Sequence, residues 1–215
     1  MKILKTINFI SERMKIRPVT NAELEASRYQ YHPYSKEELR DLIKEHRKAQ
    51  GNRCNLNDID TSKITDMSDL FKGMDVTFFN GDMSKWDVSN VINMSGLFSN
   101  AVNFNGDLSK WNVSKVRNMT NMFYNAQSFN GDISQWDVRD VQKMKGMFFN
   151  AISFNQDISS WITSNVTNMD DMFYKARSFR CNISQWYVPK VNSHYDMFSQ
   201  SPLENDMSKW PKFNV

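Results

Sequence analysis

The stretch Phe104-Asn105-Gly106-Asp107-Leu108-Ser109-Lys110-Trp111-Asn112-Val113-Ser114-Lys115-Val116-Arg117-Asn118-Met119-Thr120-Asn121-Met122-Phe123-Tyr124-Asn125-Ala126 decides how this chain is read, because its residue types return in phase on both sides. Tryptophan stands at Trp86, Trp111, Trp136, Trp161, Trp186 and Trp210, at intervals of 25, 25, 25, 25 and 24 residues, and nowhere else. The aliphatic before it recurs as Met83, Leu108, Ile133, Ile158, Ile183 and Met207. The valine after it recurs as Val88, Val113, Val138 and Val188, with Thr163 as the exception. A second valine, a methionine and a phenylalanine follow in the same register at Val116, Met119 and Phe123. A unit this short cannot bury its own apolar face, so successive units must stack, and function is sought on a face of the stack rather than in a pocket.

Within a unit, Trp86 and Val88 alternate across Asp87, which suits a short strand. Val91, Met94, Leu97, Phe98 and Ala101 fall at helical spacing, and Ser89, Ser114 and Ser164 stand where helix N-caps are needed. Ser95-Gly96 and Lys145-Gly146 weaken such helices internally, so they should be short and stabilised by stacking. The fold class expected is an α/β solenoid, a stack of ~25-residue strand–turn–short-helix units with an N-terminal helical cap. Repeats begin near Asn52, where Asn55-Leu56, Ile59, Ile64, Met67 and Phe71 form an incomplete unit, and a two-residue insertion places a bulge at Met74 to Thr77. About six and a half units then fill residues 52–215.

Residues 1–51 form the cap region. Ser35-Lys36-Glu37-Glu38 reads as a capping box, and Leu39, Leu42, Ile43 and His46 make one stripe of a helix over about 35–50, ended by Gly51. Thr20-Asn21-Ala22-Glu23 resembles another helix start. The terminal stretch 210–215, from Trp210 to Val215, completes a strand position without its helix and is expected as an exposed edge that could pair with another copy.

Formal net charge is only +3; the first 50 residues hold 11 Lys/Arg against 7 Asp/Glu and the remainder 16 against 17. Balanced repeats offer no basic stripe for nucleic acid. No run approaches the ~20 apolar residues of a membrane helix. Lys5 and Asn8 interrupt the apolar start, so no secretory signal is read, and a cytoplasmic location is expected, with the cell surface as alternative. Cys54 and Cys181 share one repeat position five units apart, roughly 24 Å at a spacing of ~4.8 Å per layer, too far for a disulfide.

The string Asn121-Met122-Phe123-Tyr124-Asn125-Ala126-Gln127-Ser128-Phe129-Asn130-Gly131-Asp132-Ile133-Ser134-Gln135-Trp136-Asp137-Val138 resembles the 25-residue repeat of BspA-like bacterial surface proteins and related surface lipoproteins. That resemblance covers about residues 52–215. It implies a leucine-rich-repeat-like solenoid used for binding, often in adhesion, with no catalytic activity attached to the repeat. Without a readable anchor, the chain fits an intracellular interaction module, of the kind a phage or mobile element would use to occupy a host protein. The alternative is a bacterial surface adhesin or structural repeat protein.

Asp82, Asp107, Asp132, Asp157 and Asp206 form a column that suggests either calcium or turn-forming carboxylates; one ligand per unit favours the turn. Asn80, Asn105, Asn130 and Asn155 form another, suited to satisfying loop backbone. No Ser/His/Asp set, Cys/His pair, phosphate loop or HExxH string is present, so neither an enzyme, a metal site nor a cofactor is expected. Positions that vary between units are the candidates for recognition. On the helix side, Tyr124, Phe149 and Tyr174 make an aromatic stripe that Ile152 and Arg177 extend, either as a partner-protein contact or as packing between units. On the strand side, Asp87, Asn112, Asp137, Ile162 and Tyr187 change from polar to apolar toward the C-terminus.

Overall fold

The computed structural model describes residues 29–213, so the helix start read at Thr20-Asn21-Ala22-Glu23 lies outside the described residues. Among the described residues regular secondary structure is sparse: one α-helix, α1 (Lys36–Gln50), and two 3₁₀ turns, Gly51–Arg53 and Met207–Lys209. Pairing between units takes the form of isolated parallel bridges, running from Asp66 to Asn93, Asn118, Lys143, Asn168 and Ser193. The expected α/β solenoid of strand–turn–short-helix units is therefore overturned, and the leucine-rich-repeat-like architecture with it. Among the described residues the repeats contain neither a strand nor an α-helix.

Each unit is instead a succession of tight turns. Around Trp111, the amide of Trp111 donates to the Leu108 carbonyl (3.1 Å), Val116 to Val113 (2.9 Å), Met122 to Met119 (3.2 Å), Tyr124 to Asn121 (3.1 Å), Ala126 to Phe123 (3.0 Å) and Phe129 to Ala126 (3.1 Å). Two positions per unit carry positive φ: Gly96, Asn121, Gly146, Asp171 and Asp196 in one column, Asn100, Asn125, Asn150, Lys175 and Gln200 in the other. Left-handed backbone interrupts the i→i+4 ladder of a helix, and glycine, asparagine and aspartate enter that region at the least cost. The strand fails for a related reason. The Asp87 carboxylate accepts the Ser89 amide (2.9 Å) and the Asn112 side chain that of Ser114 (3.2 Å), so the chain bends at once. Those serines are turn donors, not helix caps. Apolar spacing still selects one face, because successive i→i+3 turns return Val91, Met94, Leu97, Phe98 and Ala101 to the interior, where all are fully buried.

Three sets of bonds hold adjacent units in register. Alternate amides reach the following unit: Met94 to Asn118 O, Gly96 to Thr120 O, Phe98 to Met122 O and Asn100 to Tyr124 O, all within 2.8–2.9 Å. Each buried indole reaches back to the preceding one, Trp111 to Met83 O (3.1 Å), Trp136 to Leu108 O (3.1 Å), Trp161 to Ile133 O (3.2 Å) and Trp186 to Ile158 O (3.1 Å). The asparagine column does likewise at the surface: the Oδ1 atoms of Asn80, Asn105, Asn130 and Asn155 accept the amides of Asn105, Asn130, Asn155 and Arg180 at 2.8–3.0 Å. Arg180 can end that column because it supplies only its amide. Between these bonds runs a double row of phenylalanines. Phe98, Phe123, Phe148 and Phe173 stack along the axis at 5.5–5.6 Å, and each lies about as close as 4 Å to its partner in the second row, as Phe123 does to Phe129 (3.9 Å).

At the N-terminal end α1 lies on the first unit through Leu39, Leu42 and Ile43. Ser35 caps it by accepting the Glu38 amide (3.1 Å), while the Glu38 carboxylate takes the Tyr34 amide (2.7 Å). The inserted residues serve the same contact, since an Arg47 guanidinium nitrogen donates to the Asp75 carbonyl and Val76 is buried. Lys36 reaches Asp66 (2.9 Å) and Ser68 (3.0 Å) on the edge of the unit. Buried His46 joins the two bodies: Nδ1 stands 2.8 Å from Leu42 O and Nε2 3.2 Å from the Asp58 carboxylate. Burial works against its charge, but the bonds to Asp58 and Leu42 and the charges of Asp58 and Glu45 outweigh that and raise its pKa above the ordinary value.

Two outcomes follow from these contacts. Trp136→Phe keeps the aromatic body but removes one of the two donors to the Leu108 carbonyl, which retains the Trp111 amide, and urea unfolding should show a loss of about 1 kcal/mol; an unchanged midpoint would remove the indole bond from the account. His46 is more basic when folded than unfolded, so its contribution is full below its unfolded pKa and fades as pH rises through its raised folded pKa. Urea stability measured from slightly acid to alkaline pH should fall in the wild type and flatten in His46→Gln.

Candidate interaction faces

The aspartate column is committed to turns. Asp82, Asp107, Asp132 and Asp157 each accept the amide two residues on, from Ser84, Ser109, Ser134 and Ser159, at 2.9–3.0 Å, and Asn182 does the same for Ser184. The Ser109 hydroxyl and amide hold Asp107 below the ordinary carboxylate range, and the Ser134 amide and hydroxyl do so for Asp132. The methionines of the repeat, Met119, Met122, Met144, Met147, Met169 and Met172, are core residues. Both thiols are free; burial pushes that of Cys54 up to about 11 and raises that of Cys181, whose Sγ lies 3.3 Å from Asp157.

The aromatic stripe is brought together as one external stack. Tyr124 and Phe149 lie with ring centroids 4.5 Å apart and planes at 11°, Phe149 and Tyr174 at 4.7 Å and 15°. The Lys175 ammonium sits 5.2 Å over the Tyr174 ring and Gln200 donates to its hydroxyl (2.8 Å). All three rings are half-buried, because each covers the face of its neighbour. Ile152 beside them is half-buried and Arg177 is exposed. This geometry spends most of the aromatic surface on joining units.

The opposite column divides into two kinds of residue. Asp87, Asn112 and Asp137 are turn acceptors, and Asp137 also holds Arg139 through both carboxylate oxygens (2.8 and 2.6 Å). Ile162 and Tyr187 occupy the same position without that duty and stand 54% and 72% exposed. Two local changes accompany the switch. The residue two beyond Tyr187 is Pro189, which has no amide to be accepted. Thr163 replaces the buried valine, and its hydroxyl donates to the Tyr187 carbonyl of the next unit (3.3 Å), tying the two together. A shallow groove runs beside Ile162, lined by Ser134, Gln135, Asp137, Arg139 and Ser160. Preceding the column, Lys85 and Lys110 give way to Gln135, Ser160 and Gln185, so the surface loses charge where it gains apolar area.

What residue types alone did not reveal lies at the last unit. His194, noticeable only as a break in the methionine column, is exposed there and stacks on Phe213 (3.8 Å). Trp210, the start of the stretch read as an open edge, is folded back on Phe198 (4.7 Å), with its indole donating to Leu203 O (2.7 Å). Val215 lies outside the described residues. Among the described residues no helix is long and apolar enough to cross a membrane.

No curated protein and no solved structure matches this sequence. A family model does, over residues 38–145 and again over residues 109–210. The two matches overlap within the repeats and together take in most of α1, most of the stack and both faces described above. The chain belongs to the family described as Mycoplasma protein of unknown function, DUF285.

Proposed function

We propose that this chain is a non-catalytic protein-binding module and that it captures another protein on the face carrying Ile162 and Tyr187. The observation that carries the reading is the exchange of turn-forming acceptors for exposed apolar side chains in two successive units of one column. A single exposed isoleucine is ordinary on a protein surface. Here an apolar pair arises where the fold has a use for a polar residue, on a stretch whose neighbours are neutral, with Asp137 and Arg139 as a charged rim. Such a centre and rim is the composition of a protein contact.

The resemblance of residues 121–138 to the repeat of BspA-like bacterial surface proteins supports a binding role, and favours as a second reading a surface adhesin of the same face. Fractionation of untagged protein in its native cell separates the two, with cytoplasmic recovery supporting the intracellular module and surface recovery the adhesin.

The contact is tested by comparing two variants, each checked for folding by circular dichroism and urea melting, in affinity capture from the native cell or its host. Ile162→Asp with Tyr187→Asp should reduce recovery of the captured partner about tenfold or more while leaving the urea midpoint nearly unchanged. Tyr124→Ala with Phe149→Ala and Tyr174→Ala should lower the midpoint and leave capture intact. The reverse pattern would assign binding to the aromatic stripe instead.

A further inference from the structure

Every internal unit passes alternate amides to the next one in the same direction. The unit before the last does so at Met169, Asp171, Phe173 and Lys175, which donate to Ser193, Tyr195, Met197 and Ser199. The last unit repeats the backbone, including positive φ at Asp196 and Gln200, and the described residues after it, 201–213, take a different course. The amides of His194, Asp196, Phe198 and Gln200 therefore have no acceptor among the described residues. Amides without protein partners, repeated in register, are a template for another backbone.

The surroundings say what kind of backbone fits. A groove of about 290 Å³ lies over this row, lined by His194, Tyr195, Asp196, Phe198, Glu204 and Trp210 among others. Trp210 covers the end of the phenylalanine row at Phe198, so the aromatic core is closed while the amide row stays open. Asp196 and Glu204 make the groove acidic, and the Asp170 and Asp196 charges, after burial, help to raise the carboxyl of neighbouring Asp171. An anion is disfavoured there; carbonyl oxygens accompanied by a cation are favoured. A second copy stacked head to tail would have to displace Lys36 of α1, which bonds the side chains of Asp66 and Ser68 on the matching edge.

We propose that this open edge docks a peptide segment of a partner protein, whose backbone carbonyls at alternate residues accept the amides of His194, Asp196, Phe198 and Gln200 and whose basic side chain lies between Asp196 and Glu204. It is recognition by completion of a backbone ladder. The edge is separate from the Ile162 and Tyr187 face, and the two stand or fall independently.

The probe is a fluorescein-labelled synthetic peptide with the sequence of residues 117–126, whose carbonyls at Asn118, Thr120, Met122 and Tyr124 accept this same row inside the stack and which begins with Arg117. Fluorescence polarisation should show saturable binding to the whole chain. Binding should weaken about tenfold or more in His194→Pro, which removes one free amide and no internal bond, and stay near the wild-type level in His194→Ala, which keeps the amide. Replacing Arg117 of the peptide by Gln should also weaken it. Amide exchange followed by NMR covers a misfolded proline variant. In the wild type, His194, Asp196, Phe198 and Gln200 should exchange fast alone and slow at least tenfold on adding peptide, while Asp171 and Phe173 stay slow throughout. No binding, equal binding to His194→Pro, or edge amides already slow without peptide would overturn the proposal.

Discussion

The structure depends on the direction in which alternate amides point. Left-handed residues at two positions per unit, 96 and 100 in one and 121 and 125 in the next, break the chain into turns whose amides at 94, 96, 98 and 100 all face the following unit. Once that is set, a unit cannot satisfy its own backbone; it needs a neighbour on each side. The indole bonds, the asparagine ladder and the stacked phenylalanines all run along the same axis and keep the spacing at which those amides meet their carbonyls. Stability is then a property of adjacent pairs, in the manner of repeat proteins generally.

A body built this way has two unlike ends. At one, carbonyl groups and acidic side chains of the first unit meet the basic residues of α1, with Lys36 on Asp66 and Arg47 on Asp75, and His46 set against Asp58. At the other, the terminal segment closes the aromatic core with Trp210 and leaves amides uncovered. The flanks differ as well: one is sealed by stacked rings at Tyr124, Phe149 and Tyr174, the other releases two apolar side chains to solvent at Ile162 and Tyr187. The exposed apolar side chains lie where the repeat's own needs are relaxed.

Much of the interior was legible from residue types. The tryptophan, valine, methionine and phenylalanine columns are buried because a period of 25 residues returns each type to one layer position, and burial follows from apolarity whatever the local backbone. The aspartates were readable as turn formers because an Asx turn is a contact across two residues. Strand and helix were misread for one reason: apolar spacing of three and four is shared by an α-helix and by successive i→i+3 turns, and only the sign of φ at Gly96, Asn100 and their equivalents separates them. Those positions hold Gly, Asn, Asp, Lys and Gln, a mixture that no single column signature announces.

By itself the sequence determined the phase of the units from Trp86 to Trp186 and the composition of the core, since these depend on chemistry repeated at fixed separation. Only tertiary structure decided that the units are turns, that the aromatic stripe is spent on stacking while Ile162 and Tyr187 remain exposed, and that the last unit's amides have no acceptor among the described residues. Each of those depends on contacts between residues some 25 positions apart, and hydrogen bonds between layers exist only once the layers are in place.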